Sequence, residues 1–108
     1  MATEPVAATV TEFATKRGVE SALELGMQLV TDCFPDAERV RAEMGGDPET
    51  GKRWIAIEFD TRGTPEEILD WHDRLTRTWV RTTDGTARES ICFSFDILEQ
   101  ASRALPPT

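Results

Sequence analysis

Imidazole is nearly missing from this chain. One histidine, His72, serves 108 residues, so chemistry that needs a neutral-pH base or a nitrogen ligand has a single place to run. Two cysteines, Cys33 and Cys92, form no C-x-x-C pair, which removes the usual framework of a zinc site. No apolar run approaches the roughly 18 residues of a membrane span. The start, Met1-Ala2-Thr3-Glu4-Pro5, has no basic stretch ahead of an apolar core, so a cytoplasmic setting with reduced thiols is the expectation. Basic residues are also scarce. Twelve Lys and Arg against 20 Asp and Glu leave a net charge of −8. That balance repels phosphate backbones and anionic lipids. Nucleic acid and membrane are therefore not expected partners, and the balance suits plain solubility or docking onto a basic protein.

What remains is an ordinary globular composition, 39% apolar and 30% charged, enough grease to exclude a disordered chain and enough length for one core. Val19, Ala22, Leu23, Gly26, Met27, Leu29, Val30 and Cys33 recur at helical spacing, which predicts a helix over 19–33 ended by Pro35. Gly26 lies mid-stripe, where glycine costs about 1 kcal/mol of helix propensity, and its expected return is a close approach to whatever the helix covers. Val40, Ala42 and Met44 alternate with charged residues, as do Ile55, Ile57 and Phe59 with Trp54, Ala56 and Glu58. These are two strands joined by the turn Asp47-Pro48-Glu49-Thr50-Gly51-Lys52. Setting Asp47 against Lys52 pairs Met44 with Ile55, Ala42 with Ile57, Val40 with Phe59 and Arg41 with Glu58. Apolar pairs and opposite charges agree on this one register.

A second helix is predicted over 65–81. Thr64 caps it, Pro65 opens it and Glu67 completes a capping box. Ile68, Trp71, His72, Leu75 and Trp79 form its inner face, flanked by Leu69 and Val80. Residues 82–89 read as a loop, and Ile91, Phe93 and Phe95 alternate in a last strand. Residues 9–13 read either as a short first strand or as a helix opened by Thr9-x-x-Glu12. The expected fold is α+β, a two-layer sandwich with two helices on one face of a three- to four-stranded, mainly antiparallel sheet. The order is α-β-β-α-β, or ferredoxin-like βαββαβ if 9–13 is a strand. Residues 1–8 are expected to be a flexible start, 9–98 the single domain, and 99–108 a frayed or short-helical tail.

Candidates for chemistry are few. His72 sits on an apolar helical face, where a core or rim imidazole is the simpler reading and a general base the sharper one. Cys92, flanked by Ser90 and Ser94, is the nucleophile candidate that a His72 pair would need, without a G-x-S-x-G setting. Glu66, Glu67, Asp70 and Asp73 are interleaved with Arg74 and Arg77, which describes a solvated helix face better than a cation cage. Gly45-Gly46 has no following Lys-Ser/Thr and cradles no phosphate. No metal and no cofactor is expected. Trp54 alternates away from Ile55 and falls on the outer sheet face with Arg39, Arg41 and Glu58. An aromatic among arginines is the composition of a protein-binding hot spot.

The run Phe34-Pro35-Asp36-Ala37, the turn Asp47-Pro48-Glu49-Thr50-Gly51, the strand Trp54-Ile55-Ala56-Ile57 and the helix from Thr64 to Trp79 together resemble small acidic bacterial α+β proteins. The likeness covers about residues 19–96. It rests on turns and core positions, so it implies the fold and carries over no catalytic residue. The expected function is a non-enzymatic protein-binding module, in the manner of an antitoxin or immunity protein that neutralises a basic partner, or a self-associating protein. The alternative is a small enzyme or ligand carrier with a pocket around His72.

Overall fold

The computed structural model describes residues 7–98. Its elements run α1 (Ala8–Arg17), α2 (Glu20–Cys33), β1 (Glu38–Gly46), β2 (Arg53–Thr61), α3 (Pro65–Thr82), α4 (Gly85–Ser90) and β3 (Ile91–Ile97). The fold is α+β, with four helices and a three-stranded sheet in the order β1-β2-β3 among the described residues. β1 and β2 are antiparallel, β2 and β3 parallel, so the sheet is mixed where a mainly antiparallel one was expected.

The ferredoxin-like order is not formed, because residues 9–13 lie inside α1. The helix wins there because Val10 and Ala14, one turn apart, are both 1% exposed. Phe13 packs beside them with the Arg17 guanidinium 5.0 Å from its ring centre. Gly18 closes α1 at φ 68°, a left-handed value that suits glycine, and its N–H donates to the carbonyls of Ala14 and Thr15. The start expected to be flexible thus yields Ala7 and Ala8 to the cap and first turn of α1. Its other residues, and the tail at 99–108, lie outside the described residues.

α2 and α3 form as their apolar spacing requires. Thr64 Oγ1 accepts from the Glu67 N–H at 3.1 Å, and Glu67 Oε1 accepts from the Thr64 N–H at 2.9 Å, completing the capping box. The expected loop at 82–89 is broken by α4, which begins where the Asp84 carboxylate accepts the Ala87 N–H at 3.0 Å. From α4, Arg88 donates to the carbonyls of Val80 (3.1 Å) and Thr83, satisfying the end of α3.

The hairpin register is as read: Met44 with Ile55, Ala42 with Ile57, Arg41 with Glu58. The Asp47 N–H donates to the Lys52 carbonyl at 2.9 Å, and Gly51 sits at φ 75°. One pair departs from it. Arg39 and Val40 together oppose Phe59, a bulge with Arg39 at φ 54°, so Val40 has no partner to itself.

The core lies between the helices and the sheet face that carries Val40, Ala42, Ile55, Ile57, Phe59 and Ile91. Gly26 sets the distance. A Cβ there would stand 2.7 Å from Ile57 Cδ1 and 3.3 Å from the Phe93 ring, the close approach expected of a mid-stripe glycine. Phe34 follows α2 and meets Phe59 at 4.9 Å, Phe95 at 5.6 Å and Trp71 at 5.9 Å between ring centres, tying α3 to the sheet. One polar atom is left over: Ser90 Oγ is fully buried without a hydrogen-bond partner among the described residues.

Two stability predictions follow from this packing. Gly26→Ala gains about 1 kcal/mol of helix propensity and loses about 2 kcal/mol to overpacking, so chemical denaturation should show a net loss of about 1 kcal/mol. Ser90→Ala removes an unsatisfied buried hydroxyl and should raise the unfolding free energy by about 1 kcal/mol in the same assay.

Candidate functional site

His72 is exposed, not wedged in the core. The inner stripe of α3 centres on Ile68 (5% exposed), Leu75 (1%) and Trp79 (6%), and His72 falls to one flank of that line. It meets the Phe95 ring at 5.8 Å between centres, and beyond Phe95 the sheet ends among the described residues. Leu69 and Val80 lie on the same flank and are exposed for the same reason. The neighbouring Asp73 carboxylate is taken by Arg77 at 2.9 Å and leaves the imidazole alone.

Cys92 is exposed on the opposite side of the sheet. Strand alternation sends Phe93 and Phe95 to the helices, where they meet Trp79 and His72, and sends Cys92 and Ser94 the other way. A Cys92–His72 pair is therefore not assembled. Ser90 is fully buried, and Ser94 sits beside Glu58 in the parallel register, far from the imidazole. Among the described residues, no three His, Cys, Asp or Glu side chains gather as metal ligands, and no helix is long and apolar enough to cross a membrane. A cleft of 260 Å³ opens between the start of α2 (Val19, Ser21, Ala22) and the α3–α4 junction, but its one carboxylate, Asp84, is spent capping α4.

The four residues read as a binding set do share the outer sheet face. Arg41 reaches Glu58 at 3.4 Å and Glu43 at 3.7 Å, and donates to the Arg39 carbonyl at 2.8 Å. Arg39 reaches Asp60 at 3.3 Å. Asp60 is 4% exposed, and spacing gave no signal for it beyond its alternation with Glu58. Trp54 lies over its cross-strand partner Gly45, where a Cβ would stand 2.5 Å from the indole nitrogen. The indole is half-buried and leans on the Gly45 backbone. Ala56, at the centre of this face, is 8% exposed yet lies outside the core cluster. Among the described residues no helix packs on this side. The arrangement is a sheet face of one indole, one thiol and charges paired across the strands. It offers surface complementarity and no reacting constellation.

Although Cys92 is exposed to solvent, neighbouring groups exclude part of the water around its thiol, and this partial desolvation first and the Glu58 carboxylate second push it above its ordinary pKa. Cys33 is also raised, chiefly by burial on the helix side, with Arg74 opposing and Asp32 adding. Comparison of the chain with family models, curated proteins and solved structures found no match.

A raised pKa means less thiolate at neutral pH and slower attack. Alkylation of Cys92 by iodoacetamide at pH 7.5 should run slower than that of free cysteine. Glu58→Gln removes the raising charge and one of the two carboxylates on Arg41, so the rate should rise while staying below that of free cysteine, because the partial desolvation still acts. Mass spectrometry of the labelled peptide gives both rates.

Proposed function

We propose that this protein works by binding another protein through its helix-free sheet surface, and that the partner is basic. The observation that carries the reading is the outer face itself. It places a half-exposed indole (Trp54) and an exposed thiol (Cys92) among arginines already fixed by Glu58, Glu43 and Asp60, with no covering element among the described residues. Rigid aromatic and arginine anchors lose little freedom on docking, which is why they dominate binding energy at interfaces. The net charge of −8 favours association with a partner of opposite sign and speeds encounter at low salt. Neutralisation of a basic toxin, in the manner of an immunity protein, is one specific form of this reading. An enzymatic role around His72 has less support, since the imidazole stands beside Phe95 with Asp73 held by Arg77.

The test is a capture experiment on native extract with wild type and Trp54→Ala, the fold of each checked by circular dichroism. Wild type should retain a basic protein, and Trp54→Ala should weaken its binding at least about tenfold. Capture that is equal for both proteins, or absent for wild type, rejects the reading.

A further inference from the structure

Among the described residues the sheet has two free edges, and they are built differently. The β1 edge carries Glu38, Arg39, Arg41 and Glu43 and is bent by the bulge at Arg39–Val40. Charges and a bulge are the devices that stop a strand from accepting another. β3 has no bulge and little charge. Its seven residues, Ile91–Ile97, pair with Ile55–Thr61 without a register shift and contain a single charge, Asp96.

The outward backbone groups of β3 can be identified. In a parallel ladder alternate residues bond to the neighbouring strand. The Leu98 N–H donates to the Thr61 carbonyl at 2.8 Å, so Cys92, Ser94 and Asp96 share that side. Phe93, Phe95 and Ile97 direct their N–H and C=O groups to the free edge, where no backbone partner meets them among the described residues.

The space beside that edge is roofed. Gly26 seats α2 on Ile57 and the Phe93 ring, over the middle of the sheet. Helices pack about 8–10 Å apart while strands are spaced about 4.8 Å, so α3, beside α2, overhangs the next strand position beyond β3. Phe93 and Phe95 are half-buried beneath it, open on the edge side. Among the described residues the three large apolar side chains left exposed, Leu69 (69%), Val80 (51%) and Ile97 (53%), lie on the His72 flank of α3 and at the end of β3. All three belong to this one slot.

We propose that the slot takes an extended segment of a basic protein as a fourth strand, antiparallel or parallel to β3, with its apolar side chains under α3 and its lysines or arginines on the outer face. The inference rests on the protein-binding reading above and names what that partner presents. Charge selects the occupant. β3 carries no basic side chain, Asp96 and the preceding Glu89 are exposed, and Arg88 is turned to the end of α3. Geometry disfavours a second copy, since two chains joined β3 to β3 would press each α3 onto the other chain's α2.

The probe is an end-blocked nine-residue peptide alternating valine and lysine, titrated into the full chain and followed by amide hydrogen exchange and NMR. The amides of Phe93, Phe95 and Ile97 should exchange fast in the free chain and gain about tenfold protection or more when the peptide binds. Leu69→Lys and Val80→Lys, both at exposed positions and so harmless to the fold, should each weaken binding about tenfold by placing like charge at the slot. A peptide N-methylated at alternate residues should not bind. The inference fails if those amides are already protected in the free chain, if the peptide does not bind, or if only Trp54→Ala abolishes binding. Should the natural partner still be captured through Trp54 while the peptide is ignored, the edge is wrong and the protein-binding reading stands; if neither binds, both fall.

Discussion

The approach of α2 to the sheet at Gly26 is the contact on which the rest of the architecture depends. With no side chain at that position, the helix settles against Ile57 and Phe93 and occupies the middle of the sheet. A three-stranded sheet is only about 10 Å from first strand to last, about the width of one helix with its side chains. Once α2 is central, the other two long helices must lie at the sides. α1 reaches the core through Val10 and Ala14, and α3 leans over the β3 side through Trp79 on Phe93 and His72 on Phe95. The exposure of Leu69, Val80 and His72 follows from that arithmetic: the flank of α3 extends past the last strand, and nothing lies under it among the described residues.

The same placement separates the groups that chemistry would need. The imidazole is carried to the helix side of the sheet, at the edge, and the exposed thiol to the other side. Between them stands a packed aromatic layer, Phe34, Phe59 and Phe95, with centres 4.9 to 5.6 Å apart. A side chain cannot reach across a layer of that density. The polar groups on the outer face are committed in turn to one another, since Arg41 and Arg39 are held by carboxylates on the neighbouring strand. Among the described residues, what is left for contact with the outside is shape, one indole, one thiol and the outer side of β3.

Much of this was legible in the residues. The α3 capping box, the Asp47–Lys52 turn, the hairpin register and the tight seat of Gly26 are local patterns whose physics acts over a few residues or one strand pair, and each formed as its sequence dictates. α1 was ambiguous because Thr9-Val10-Thr11 is β-prone, and the buried Val10–Ala14 stripe that decides it is short. α4 was hidden by a stretch of turn-forming residues in which Asp84 acts as a helix cap. The placement of His72 failed for a different reason. Periodicity tells which face of a helix is apolar but not how wide the surface beneath it is. With a fourth strand the imidazole would be covered; with three it is at the rim. Of the residues proposed for binding, alternation alone picks out Trp54, Arg41, Arg39 and Glu58, whereas Leu69, Val80 and Ile97 give no such signal, because an apolar residue on an apolar flank looks buried until the sheet is counted.

The contrast between the edges bears on why the sheet stops where it does. On the β1 side Arg39 holds a left-handed backbone at φ 54°, a conformation that costs a non-glycine residue about 1 kcal/mol or more. Its guanidinium bonds Asp60, a carboxylate otherwise nearly out of water. That ion pair fixes the bulge in place, for without Arg39 a buried charge would stand alone. Strain held by a specific partner is retained only where the surroundings over-determine it, and here its effect is to close one edge. β3 carries no counterpart to it. An edge left straight, nearly uncharged and overhung by an apolar helix flank differs from its neighbour in every feature that governs strand addition. The sheet is thus defended on one side only, and the undefended side is where exposed apolar surface collects.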